Sequence, residues 1–409
     1  MYGTVKKPKI KHNTLIGEYS AGGLKFPDFQ SILKANQIRW AIRLIISSQN
    51  KTQIHVIPSE YFKSIGGFQH INANFDQDRI PKNTPNFYKS ILKAWAEISD
   101  QKVNDPTTVC RQYLWNNKHI KIGHKSIFYK EFSDCNINKV EDLYDTNFDL
   151  TWAYAKSKGL EDKDYIKWAG IISAIPSSWK ALVKENKNGI NKGKGTKISL
   201  DFMDRKLDIE KVKTNTIYQC LIDKKFRIPS SQQNIEKRIN QENPLDWTKI
   251  YSRIYLTSID TYSRYFQYKI LNNILYLNRD LHRFKILDHS SCSFCSLHPE
   301  TIDHIFVECI ESKNFYFDIR NWLLDFDIVL PECNKLNIIL GVDDTMLNHI
   351  LLLYKMCLYK AREKRKIPNL MIFKNCLKQN EKIEYKLAKE KDVISKHKNK
   401  WNKISIALK

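Results

Sequence analysis

Four residues near the middle of the second half can do metal chemistry. Cys292-Ser293-Phe294-Cys295, then His304, then Cys309 set three thiols and an imidazole at C-x2-C-x8-H-x4-C spacing. Zinc is held tetrahedrally by such donors, and a C-x2-C knuckle lets two sulfurs of one tight turn reach one ion. Four protein ligands leave no open position, so the expected cofactor is a structural Zn²⁺ rather than a hydrolytic one. Binding of this kind is worth about 10–16 kcal/mol, which becomes local folding energy. Phe294 and Phe306 are expected to pack around it as an apolar shell. His298 competes with His304 for the imidazole place, against the cramping of a short loop that contains Pro299. The plain alternative is three free thiols in a core. The other six of the nine cysteines are scattered singly and read as buried thiols, since an odd count in a cluster fits a metal better than disulfides.

A second chemical pattern is a decoy. Gly341-Val342-Asp343-Asp344 resembles the paired carboxylates that bind two Mg²⁺ for nucleotidyl transfer. Such carboxylates need a β-hairpin with apolar strands on both sides. Here they precede Thr345 and a strongly periodic segment, where acids suit a helix N-terminus. No catalytic residue is assigned, and the chain is expected not to be an enzyme on its own.

The third pattern is charge. Lys+Arg 67 against Asp+Glu 44 gives +23 and a pI near 9.4, which favours polyanionic partners through counterion release. Binding RNA or DNA needs cations for phosphates and planar groups for bases. Arg264, Tyr265, Tyr268, Lys269, Arg279, His282 and Arg283 mix both just ahead of the knuckle, and Lys34, Arg39 and Arg43 form a second set. Of these, Lys34, Arg39, Arg43, Arg264, Tyr268, Lys269, Arg279 and Arg283 are the nucleic-acid contacts expected; plain solvated helix faces are the alternative. Tyr268 and Phe266 both face a core only if their helix is buried on two sides. No run of about 18 apolar residues is present, and the start has no signal-peptide core. The expectation is an intracellular protein of the cytoplasm or nucleus, with no membrane partner.

Glycine and proline are sparse (13 and 12) while 42% of residues are hydrophobic, which predicts a mainly α, multi-domain chain with a small zinc-stapled loop module and minor β-hairpins. Residues 1–65 read as one helical segment. Asp28 would cap a helix to about Ile46, with Phe29, Ile32, Leu33, Trp40 and Leu44 buried. Residues 66–183 read as a middle helical region. In it a helix from Phe87 to about Ile98 turns Ile91, Leu92 and Trp95 inward, and a hairpin folds around Gly123. Residues 184–199, rich in Lys, Gly and Asn, read as a linker. Residues 200–340 form a C-terminal helical region holding the zinc module at about 262–325. Its helices are expected at Thr214–Lys225, Ser230–Gln241 and Thr261–Asn273. Residues 341–409 give an amphipathic helix from Thr345 to Arg365, with Leu347, Ile350, Leu351, Tyr354, Leu358 and Ala361 on one face. A basic tail follows, either flexible or a solvated helix.

Several stretches together resemble one family. Gly22-Gly23-Leu24-Lys25-Phe26-Pro27-Asp28-Phe29, with Lys34-Ala35-Asn36-Gln37 and Arg39-Trp40, is similar to the thumb segment of LINE-1-like non-LTR retrotransposon reverse transcriptases. Leu114-Trp115-Asn116-Asn117, Lys125–Phe132 and Ala174-Ile175-Pro176 with Trp179 resemble the family's middle region. Phe266-Gln267-Tyr268-Lys269-Ile270-Leu271, then Cys292 to Cys309 with Glu300-Thr301-Ile302-Asp303-His304-Ile305-Phe306 between, resembles its C-terminal zinc-binding module. The resemblance implies a fragment, from the thumb onward, that binds template RNA and target DNA. It implies Cys292, Cys295, His304 and Cys309 as metal ligands, and that the polymerase carboxylates and the endonuclease belong upstream. A truncated element product is the leading expectation. A domesticated zinc-containing interaction or RNA-binding protein is the alternative, and part of a full polymerase is a third.

Overall fold

A computed structural model describes residues 9–50, 52–71, 74–99, 103–185, 199–202, 205–208, 211–239 and 243–407. The protein is mainly helical, with two antiparallel two-stranded sheets among the described residues, β1 (Lys121–Ile122) with β2 (Lys125–Ser126) and β3 (Ser199–Phe202) with β4 (Arg205–Asp208). It forms two compact units, one of residues 27–224 and one of residues 1–26 with 225–409. Most of the linker read at 184–199 lies outside the described residues. Among the described residues no helix is long and apolar enough to cross a membrane.

The labelled helices of the 27–224 unit are α1 (Phe29–Gln49), α2 (Asn86–Ile98), α3 (Tyr165–Ala174), α4 (Ser177–Glu185) and α5 (Thr214–Lys225). The face of α1 differs from the expected one. Phe29 and Leu33 are 69% and 65% exposed, and Trp40 edges against exposed Phe87. The buried stripe is Ser31, Ala35, Ile38, Ala41, Ile42 and Ile45, packed on α2. Ser31, Ala35 and Ala41 between the isoleucines let the two helices approach closely, whereas the larger Phe29, Leu33 and Trp40 set the misleading expectation. Of the expected stripe only Leu44 is fully buried, while Ile91, Leu92 and Trp95 of α2 all are. A second cluster gathers Trp115, Phe132, Val140, Ile171, Ile175 and Trp179. The tight turn of the β1–β2 hairpin holds Gly123 at φ 65°.

In the other unit α6 (Ser231–Ile239), α7 (Trp247–Thr257), α8 (Thr261–Leu271), α9 (Asn278–Arg283), α10 (Ile310–Leu324), α11 (Thr345–Ala361), α12 (Leu370–Glu390) and α13 (Ile394–Trp401) follow one another. The centre is α11. Expected to be amphipathic, it is buried nearly all round, from Met346 through Ile350 to Leu358. The tail is not a loose arm. Trp401 Nε1 and Lys400 Nζ both donate to Glu384 of α12, at 2.8 and 2.7 Å, and Lys400 also reaches the Thr257 carbonyl at 2.7 Å. The segment before residue 27 belongs here too: Thr14 Oγ1 donates to the Arg227 carbonyl at 2.9 Å. Gly22 takes φ 85°, and a Cβ there would lie 2.7 Å from the Tyr251 ring, so only glycine fits this turn.

Candidate metal centre

The knuckle is held by backbone before any ligand is considered. Cys292 N–H donates to the His298 carbonyl at 2.8 Å and Glu300 N–H to the Ser290 carbonyl at 2.8 Å, with a bridge between Ser291 and Pro299. This narrow ladder folds Cys292–Cys295 into a turn, in which the Phe294 N–H points at Cys292 Sγ, 3.5 Å away. Ser296 leaves the turn at φ 58°.

The remaining two donors come from an unusual helical turn. His304–Glu308 is π-helical, closed by Cys309 N–H to the His304 carbonyl at 2.7 Å. At 3.6 residues per turn, positions five apart on an α-helix diverge by about 140°. The i→i+5 bond of a π-turn returns them to one side, a device common at functional sites. The H-x4-C spacing becomes a pair of converging donors by this means.

The four donor atoms lie within 4.8 Å of one another. Cys292 Sγ stands 3.9 Å from Cys309 Sγ, and Cys295 Sγ 3.3 Å from His304 Nε2. Tetrahedral zinc with bonds of about 2.3 Å to sulfur and 2.0 Å to nitrogen requires separations of roughly 3.8 and 3.5 Å. The donor set therefore fits the ion by chemistry and by spacing. Cys309 precedes α10, whose Glu311 and Ser312 N–H groups face its sulfur. The bond from Cys292, followed by these amides, lowers the Cys309 pKa, while donating to Cys309 and burial raise that of Cys292. His298 is exposed and outside the donor group; its ring lies 5.4 Å from that of buried His304. Phe306 is fully buried and Phe294 partly so, and Phe306 packs edge-on against Phe266.

A buried acid missed by the motif reading ties this loop to the core. Glu300 is inaccessible to solvent. Its Oε2 accepts from Ser293 N and Oγ at 2.8 and 2.6 Å, and its Oε1 from Asn278 N at 3.0 Å and Arg362 Nη1 at 2.8 Å. The knuckle, the start of α9 and the residue following α11 meet on one carboxylate. A Glu eight residues after the first Cys is no motif in itself, so only the fold exposes its role.

The expected nucleic-acid contacts divide. Tyr268 requires correction: it is 2% exposed and donates to the Gly22 carbonyl at 3.2 Å, so its ring is not offered to a base. Both Phe266 and Tyr268 are buried because α8 is covered on two sides. Arg264 is spent on the end of α7, donating to the Ser258 carbonyl at 2.5 Å and Tyr255 carbonyl at 3.2 Å. Lys269 lies over Tyr265, 4.3 Å from its centroid. Arg279 and Arg283 are exposed beside Asp280. In the 27–224 unit Lys34 pairs with Glu97, Arg39 is half-buried, and exposed Arg43 stacks on Trp40.

Asp344 and Asp343 are both engaged structurally. Asp344 caps α11, accepting from Leu347 N–H at 2.8 Å. Asp343 pairs with Arg253 at 2.6 Å and Lys249 at 2.7 Å.

No curated protein matches the chain. Residues 230–315, spanning α6 to the start of α10 and all four donors, match the family model for zinc-binding in reverse transcriptase, and the chain thus carries a zinc-binding module of that type.

Proposed function

We propose that this chain is a nucleic-acid-binding, non-catalytic part of a non-LTR retrotransposon reverse transcriptase, with zinc acting as a structural clamp. The observation carrying the reading is the Cys3His donor group inside a matched reverse-transcriptase zinc module, set in a chain of net charge +23. Cys292, Cys295, His304 and Cys309 would hold the ion, which would supply folding energy by fixing the knuckle to the π-turn. Arg279 and Arg283 would then offer phosphate contacts from α9, which Glu300 fastens to the same knuckle. Of Lys34, Arg39 and Arg43 in the 27–224 unit, Arg43 is the exposed one and would take that role.

Two measurements test this. Purified protein should carry about one equivalent of zinc, and Cys295→Ser should lower it with loss of protection in residues 289–310; a metal-free, fully folded wild type refutes the clamp. RNA affinity should fall steeply with salt, each neutralised phosphate contributing about −0.7 to the log–log slope on single strands. A flat dependence removes the electrostatic reading.

A further inference from the structure

Away from the metal, a cleft of about 660 Å³ opens between the end of α7, the start of α11, and α12 with α13. That volume is in the range of small-ligand sites, about 300–1,000 Å³. Its lining is of two kinds. Leu256 and Ile259, 69% and 43% exposed, are apolar, as are Met346, Leu387, Ala388 and Val393. Lys391, Lys396 and Lys403 are cationic, and none has an ion-pair partner among the described residues. The acids of the lining are all engaged elsewhere: Asp343 on Arg253 and Lys249, Asp344 as a helix cap, Glu384 on Lys400 and Trp401. The cleft therefore sets three lysines without ion-pair partners among the described residues beside exposed apolar side chains, with Thr345 and Asn399 also in its lining.

We infer that this cleft receives an unpaired nucleotide of a single-stranded nucleic acid, with the base against Leu256 and Ile259 and the phosphates on Lys391, Lys396 and Lys403. The inference rests on the nucleic-acid-binding reading above and gives it a second site, remote in sequence from the zinc knuckle. Strand binding needs a cationic track for the backbone, and an unpaired base can be held by van der Waals contact with apolar side chains as well as by aromatic stacking. An acyl chain would satisfy the apolar residues but leave the three lysines without a counter-charge. A duplex would satisfy the lysines but keeps its bases paired and away from Leu256.

The test is fluorescence anisotropy of a short labelled oligouridylate with the full chain. Replacing the three lysines together, K391Q/K396Q/K403Q, should weaken binding about tenfold and reduce the log–log salt slope by up to about 2. Leu256→Ser should weaken single-strand binding roughly threefold with an unchanged slope, since it removes a base contact and no charge. A duplex should bind more weakly and ignore Leu256→Ser. All four residues are at the surface, so zinc content and circular dichroism should stay as in wild type. If wild type binds no nucleic acid, both readings fall. If it binds but neither variant changes affinity, the cleft is refuted while the general reading stands. A lysine effect without a Leu256 effect reduces the site to surface charge and likewise overturns it.

Discussion

Glu300 decides how well the knuckle is held, because every acceptor position it uses faces a donor. Its two oxygens take four hydrogen bonds, from Ser293, Asn278 and Arg362. Glu300→Gln must turn an amide NH₂ towards one of these donor sets, and it leaves the Arg362 guanidinium, whose side chain is 10% exposed, without its counter-charge. Removing one partner of a buried ion pair costs about 3–5 kcal/mol. Loss of outer support around metal ligands commonly lowers metal affinity about 10–100-fold. Competition with a chromophoric chelator should therefore show weaker zinc retention in Glu300→Gln with all four donors intact. Unchanged retention would mean that the ladder and π-turn position the donors unaided. The four donors were legible in the sequence, because thiols and imidazole at knuckle spacing have few other uses. Glu300 was not, because its importance lies in joining nearby Ser293 to Asn278 and Arg362, which are distant in the chain.

At the level of elements, α1 shows how a periodicity can mislead. Its aromatic residues and Leu33 lie on one stripe and a mixture of Ile38, Ile42 and Ile45 with Ser31, Ala35 and Ala41 on another, and packing buries the mixed one against α2. Ile38→Ala should cost about 2–4 kcal/mol by opening a cavity in a close-packed contact. Leu33→Ala, at a residue 65% exposed, should stay within about 0.5 kcal/mol. Urea titrations of the two variants would separate the faces, and equal losses would restore the expected stripe. Legibility follows the same logic elsewhere. The boundaries of α5 match the expected Thr214–Lys225, and the inward face of α2 follows from one apolar stripe, Ile91, Leu92 and Trp95. α7 and the β3–β4 hairpin were missed; for α7, Trp247, Tyr251 and Tyr255 share the chain with Lys249 and Arg253 and blur the pattern. The end of the chain was read as open between a flexible arm and a solvated helix. The deciding contact is the buried Trp401–Glu384 bond, a tertiary fact.

Across the whole molecule, three histidines are buried among the described residues: His304 at the metal centre and, away from it, one in each unit. His70 lies in the 27–224 unit near Phe128 and Ser133, and His349 lies in the other unit beside Thr257 and Trp401. Burial pushes both pKa values down to about 4, and the Lys400 ammonium adds to the effect at His349. Above pH 6.5 folded and unfolded chains both hold these rings neutral, so neither carries a cost. As pH falls from 6.5 towards 4 only the unfolded chain takes up the protons, and stability is lost through that window. Below about 4 the loss is complete, at roughly 3 kcal/mol per ring. Acid release of zinc would weaken only the unit that holds the donors, so the two causes are separable. Hydrogen exchange in residues 62–71 and 127–133, corrected for intrinsic rates, should fall in protection between pH 6.5 and 4.5, and His70→Phe should flatten that fall. The same peptides should be indifferent to a chelator at pH 7. If His70→Phe tracks wild type through the window, the buried ring is not what makes the 27–224 unit acid-sensitive, and its carboxylate pairs, such as Lys167–Glu131, become the groups to titrate instead.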